Sequence, residues 1–294
     1  MSARRLLLSG VAVASAFTAI ASADVFTNAT KAPVWDGELD HAQIRMRMVE
    51  FDASEILSAR NGEVSLSLFD DAAFVGVTDL LEHRDGDNFS WRARTDDPSD
   101  YAIVVRQNGE TAGFVRTDGR VFEILPSGNG VSRIVEVHVA AQLPCGIDAA
   151  EIAANPMMRG QDIDDLLGRT VDAEMAHEDA QAADGSGARG EILPTFDQLV
   201  AYTPNALNWV GGSESGMFAF IEAAIVDMNT ILSNSGINMT TRAVFKHALD
   251  ENETGSGGAD RNAFRINGDG KWDEVHQLRN DFGADLCHIL VRNS

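Results

Sequence analysis

Lysine is nearly missing: Lys31, Lys246 and Lys271 are the only three in 294 residues. With 45 acidic against 23 basic side chains, the formal charge is −22. Gripping a polyphosphate takes a basic footprint that releases counterions, so nucleic acid is not an expected partner. Cysteine is scarce as well. Cys145 and Cys287 are too few for a disulfide scaffold. The apolar run from Leu6 to Ile20 is too short and too alanine-rich for a permanent membrane span, so no stable span is expected. The histidines, His41, His83, His138, His177, His247, His276 and His288, have no metal-ligand spacing, and no metal ligand is assigned within the chain.

What is present divides the chain into four parts. Residues 1–23 have the form of an export signal. Arg4 and Arg5 supply its positive start, an apolar stretch follows, and Ala21-Ser-Ala23 offers a small-residue cleavage site. The product is expected to be secreted or periplasmic. Residues 24–147 are β-rich. Val64-Ser-Leu-Ser-Leu-Phe69 alternates as a half-buried strand does, and Phe89–Arg94, Tyr101–Val105 and Gly113–Arg116 follow it. Asp118-Gly119 and Gly128-Asn-Gly130 then turn the chain into Val121–Leu125 and Ile134–Val137, which predicts a hairpin meander. Residues 148–190 are acidic and alanine-rich, and end in Ala183-Asp-Gly-Ser-Gly-Ala-Arg-Gly190. They read as a flexible linker that includes a possible processing site near Arg189.

Residues 191–294 alternate strand and helix. Leu199–Tyr202 reads as a strand closed by Thr203-Pro204. Phe218, Ile221, Ile225, Met228 and Leu232 are spaced 3, 4, 3 and 4 apart, which predicts one buried helical stripe ended by Ser235-Gly236. Thr240–Phe245 is a second strand, followed by a loop through Gly255-Ser-Gly-Gly258. Asp273 is placed to cap a short helix carrying Val275, Leu278 and Phe282, with Gly283 as its stop. Leu286–Val291 is a third, buried strand. The β-α-β-α-β order implies a mainly parallel sheet. The expected fold class is therefore α+β multidomain: a β meander followed by a partial α/β lobe.

The order of Asp197-Gln-Leu-Val-Ala-Tyr-Thr-Pro204, the helix through Met228-Asn229, Asp273-Glu-Val-His-Gln-Leu-Arg279 and Gly283-Ala-Asp-Leu286 resembles the secreted peptidyl-Asp metalloendopeptidases. These form a reprolysin-like branch of the metzincin zinc proteases. The resemblance implies that 24–147 is a propeptide and 191–294 the first part of a catalytic domain. It also implies a zinc cofactor, peptide or protein substrates, and cleavage on the amino side of acidic residues. The family's H-E-x-x-H helix would lie a few dozen residues further on, and no H-E-x-x-H occurs here. The expectation is thus the N-terminal portion of an exported zinc protease precursor, inactive as given and with its zinc ligands outside this chain. The alternative is a non-catalytic secreted protein that binds or inhibits a protease.

Three stretches invite chemistry. Leu143-Pro-Cys145-Gly-Ile147 is similar to the cysteine switch of metzincin propeptides, in which a thiolate, a strong zinc ligand at roughly 2.3 Å, fills the catalytic water's position. By the residues alone, Cys145 is equally open to a disulfide with Cys287 or to an inert buried role. His177-Glu-Asp-Ala-Gln181 misses a zinc helix because Gln181 cannot replace an imidazole. Arg265-Ile-Asn-Gly-Asp-Gly-Lys-Trp-Asp273 has the glycine of a calcium loop, but it sets Arg265 at the first ligand position and reads as a turn.

Overall fold

The computed structural model describes residues 25–30, 39, 42–58, 62–141 and 193–292. Its first half is built from β1 (Phe26–Asn28), β2 (Gln43–Phe51), β3 (Glu63–Phe69), β4 (Ala72–His83) and β5 (Phe89–Arg94). It continues with β6 (Tyr101–Gln107), β7 (Glu110–Thr117), β8 (Arg120–Pro126) and β9 (Val131–Val137), and a short helix α1 (Ala53–Ser58) follows β2. The strands form one antiparallel sheet in the order β1-β2-β9-β8-β7-β6-β5-β4-β3, so β3 to β9 is the expected meander. Asn108-Gly109 and Asp118-Gly119 both take positive φ, the backbone a tight two-residue hairpin needs. Val64, Leu66, Phe74, Trp91, Phe122 and Ile124 fill the inner face, joined by Ile56 of α1. The sheet curls until its far edges meet, where Arg47 of β2 donates to the Ser67 carbonyl of β3 at 2.8 Å.

The second half contains β10 (Thr195–Tyr202), α2 (Pro204–Trp209), α3 (Glu214–Asn234), β11 (Thr240–Ala248), α4 (Gly257–Arg265), α5 (Glu274–Phe282) and β12 (Leu286–Leu290). Its three strands are parallel, in the order β11-β10-β12. Alternation along the central strand sends Val200 and Tyr202 to one face, against Met217, Ile221 and Ile225 of α3. Leu199 and Ala201 face the other way, onto Trp272, Val275 and Ala284. Pro204 does more than close a strand. It opens α2, with the Thr203 hydroxyl accepting the Ala206 N–H at 3.2 Å as N-cap.

Several expectations need correction. The glycine run at 255–258 does not stay a loop, because α4 starts within it. Helix α3 buries two stripes instead of one. Met228, assigned to the first stripe, is 39% exposed, whereas Gly216, Ala219, Ala223 and Thr230 are buried against the nine-stranded sheet. Its length and mean hydropathy of 1.3 are those of a membrane span, but Met217, Ala219, Ile221, Ala223 and Ile225 pack against the two sheets. Strand β12 is not fully buried: Leu286 is 44% exposed.

Candidate functional site

Parallel strands leave the sheet at the same end, so Tyr202, Ala248 and Leu290 open onto one edge. The chain after β10 packs α3 on one face of the sheet, and the chain after β11 packs α5 on the other. Connections that diverge in this way leave a crevice beyond the carboxyl ends of the strands. Two clefts lie there.

The first cleft, about 380 Å³, is bordered by Asn205, Asn208, Trp209, Glu253, Thr254 and Arg292. Glu253 ties it together. Its Oε1 accepts from the Asn205 amide at 3.3 Å and from the Arg292 backbone N–H at 3.0 Å. Burial pushes this carboxyl up, but hydrogen bonds from Thr203, the backbone and Asn205 outweigh it and hold the group below the usual carboxylate range. The Asn205 backbone N–H donates to the Asn252 side-chain oxygen at 2.9 Å. An ionised carboxylate framed by amides suits a polar ligand that donates hydrogen bonds.

The second cleft, about 390 Å³, is more acidic, with His247, Asp250, Glu251, Trp272 and Glu274 at its walls. His247 Nε2 stands 3.5 Å from Glu274 Oε1. Trp272 is 4% exposed and takes a left-handed φ of 61°, an uncommon conformation for a bulky residue. Lys271 lies 4.0 Å over its ring and 3.5 Å from Asp260, which is itself 2% exposed. Among the described residues no three His, Cys, Asp or Glu side chains stand together as a metal site, so no chemical step through a metal is assigned to either cleft.

Of the residues singled out by sequence, only some fall within the described part of the structure. Cys145, His177 and Glu178 lie outside the described residues. Cys287 is half-buried on β12, where burial pushes its thiol up. His276 and His288 each have a buried Nε2 without a partner among the described residues, and burial lowers the pKa of His288. Asp273 does not cap α5. It has helical backbone angles, and its carboxylate accepts from the N–H groups of Gly268 at 2.6 Å and Gly270 at 2.9 Å. It braces the 265–273 turn instead. Glu253, Asn205 and Arg292 carried no sequence signal, since up to 87 positions separate them and only the strand order makes them neighbours.

No protein-family model matches the chain. It is 27% identical over 201 residues to the peptidyl-Asp metalloendopeptidase of Stenotrophomonas maltophilia, covering 68% of this chain and 42% of the relative. With the protein of the same name from Xanthomonas campestris pv. campestris it shares 29% identity over 262 residues, covering 84% of this chain and 57% of the relative. The chain therefore spans about half the length of the curated relatives it matches. Among solved structures, metalloproteinase-II from Bacteroides fragilis aligns over 77% of this chain and 65% of its own, with a TM-score of 0.36 and 11% identity. At that score the two backbones differ too much to be equated. By sequence, over a length that takes in parts of both sheets, this chain is related to the peptidyl-Asp metalloendopeptidases at 27–29% identity.

Proposed function

We propose that the chain is the N-terminal portion of an exported zinc metalloendopeptidase precursor. Residues 1–23 direct export, 24–147 act as propeptide, 148–190 are a linker open to processing, and 191–294 begin the catalytic domain. The observation that carries this reading is the similarity to the peptidyl-Asp metalloendopeptidases, extending in one case over 84% of the chain. The complete enzyme would hydrolyse peptide bonds, with a preference at acidic residues and with zinc held by residues outside this chain.

The coding sequence past codon 294 tests this directly. An in-frame H-E-x-x-H-x-x-G-x-x-H is expected within about a hundred codons. A stop codon there overturns the enzyme reading in favour of a secreted protein that binds a protease. The product of the longer frame should cleave an Asp-containing peptide, lose that activity to a chelator, and regain it with zinc. Residues 1–294 alone should show no chelator-sensitive cleavage. In the same precursor, Cys145→Ser should raise activity before processing if the thiol maintains latency. Unchanged latency sinks the switch.

A further inference from the structure

Helix α3 is held between the two sheets, and the face it gives to the first sheet is as specific as the one it gives to the second. Gly216, Ala219, Ala223, Val226, Asp227, Thr230 and Asn234 recur at helical spacing and form a second stripe some 27 Å long. Ala219 and Ala223 are buried on Tyr101, Ile103, Val105 and Ala112 of β6 and β7. Their small side chains let the helix come close. Gly216 lies against Pro126, where an added Cβ would stand 3.0 Å from the ring. Gly211 fits still more closely, its missing Cβ 2.7 Å from the Ser127 backbone.

Polar contacts cover the whole length of the helix. The Tyr101 hydroxyl donates to Asp227 at 2.6 Å, and Arg116 reaches the same carboxylate at 3.5 Å. Burial, with Asp227 alongside, pushes the Tyr101 phenol up to about 12, so it remains a donor. Arg92, oriented by both oxygens of Asp79, donates to Thr230 at 2.8 Å. Arg94 donates to Asn234 at 2.7 Å, and Asn234 donates to the Pro98 carbonyl at 2.8 Å. Arg84 faces Glu222 at 3.4 Å. Buried Arg133 of β9 donates to the Trp209 carbonyl at the end of α2 and lies over its ring. The sheet thus presents five arginines to this face: Arg116 and Arg84 meet the carboxylates of Asp227 and Glu222, and Arg92, Arg94 and Arg133 meet neutral oxygens.

We propose that the nine-stranded sheet and the α/β unit form a noncovalent complex in their own right, one that survives a cut between residues 142 and 192. The surface fits one partner, helix α3 with the turn before it. Linker cleavage alone then removes a tether and does not release the α/β unit. Separation requires the sheet itself to be displaced or degraded. The inference rests on these contacts and stands whether or not the protease reading does.

The test keeps the full chain and inserts a site-specific protease sequence after Gly185. After complete cleavage, gel filtration at about 1 μM is expected to show a single species of uncut size. In about 1 M salt the halves should separate more readily, because the arginine–carboxylate contacts are screened. Two separate species at low salt overturn the proposal. Ala223→Arg, which drives a charge into the sheet, should let the cut halves part, while Ala224→Arg, at the neighbouring exposed position, should not. The milder Asp227→Asn keeps the fold and should speed separation on dilution about tenfold. Halves that part no faster in Asp227→Asn than in the parent overturn the proposal as well.

Discussion

Glu136 of β9 stands between two arginines from different strands. Arg120 of β8 donates to both its oxygens at 2.8 Å, and Arg45 of β2 donates at 2.6 Å. The residue is 7% exposed, and the Arg120 hydrogen bond, followed by that of Arg45, holds its carboxyl below the usual range despite burial. A carboxyl whose folded pKa is depressed adds stability above its unfolded pKa, and that stability is lost as pH falls through the folded value. Glu136→Gln should therefore cost about 1–2 kcal/mol at neutral pH, discounted because both arginines are about a third exposed. Urea titrations at pH 7 and in acid should show the variant's deficit shrinking at low pH. His288 works in the opposite chemical sense. Burial favours its neutral form, so the unfolded chain takes up a proton first, near pH 6.5. Its contribution is complete above that pH and declines as pH falls toward the folded pKa. In His288→Gln, the slope of stability against pH just below 6.5 should flatten. Glu136 did not stand out in the sequence, because its partner Arg45 lies 91 positions away.

At the scale of single elements, close approach explains the glycines that interrupt strands. At Gly113 of β7, a Cβ would lie 2.1 Å from the Ile103 carbonyl oxygen of β6. Gly113→Ala should thus destabilise by about 1–3 kcal/mol, read from the urea midpoint, whereas Thr203→Ala should cost about 1 kcal/mol through its lost cap. Strand β4 went unread for a related reason. From Ala72 to Asp79 its positions alternate between buried and exposed, yet Val75 and Val77 are 48% and 53% exposed and Gly76 sits beneath the Phe74 ring. Polarity does not follow position there, so an alternation rule finds no strand. The reverse holds for β6. Tyr101-Ala-Ile-Val-Val105 is apolar on both faces because one face meets the sheet's core and the other meets α3. A continuous run of that kind signals two-sided burial. Gly283 behaved as sequence rules require, ending α5 with φ 64°.

For the whole molecule, the interlayer helix packs against both sheets, which should couple their opening. Native-state hydrogen exchange should therefore give the central amides of β6 and β10 the same opening free energy. Distinctly weaker protection of β10 would mean that the sheets open independently. The sequence by itself determined the meander, the turns at Asp118-Gly119 and Gly128–Gly130, the β-α-β order of the second half and the likeness to a protease family. These depend on local backbone preference and on spacing within a few residues, which a linear chain displays directly. Only the tertiary structure decided that α3 serves two sheets, that Asp273 braces a turn, and that Glu253, Asn205 and Arg292 border one cleft. The first and last depend on strand order and on helix faces packed across long stretches of chain, and the second on backbone N–H groups that the folded turn aims at one carboxylate. Spacing along the chain carries no trace of such pairings, because the energy that selects them arises only when distant surfaces meet.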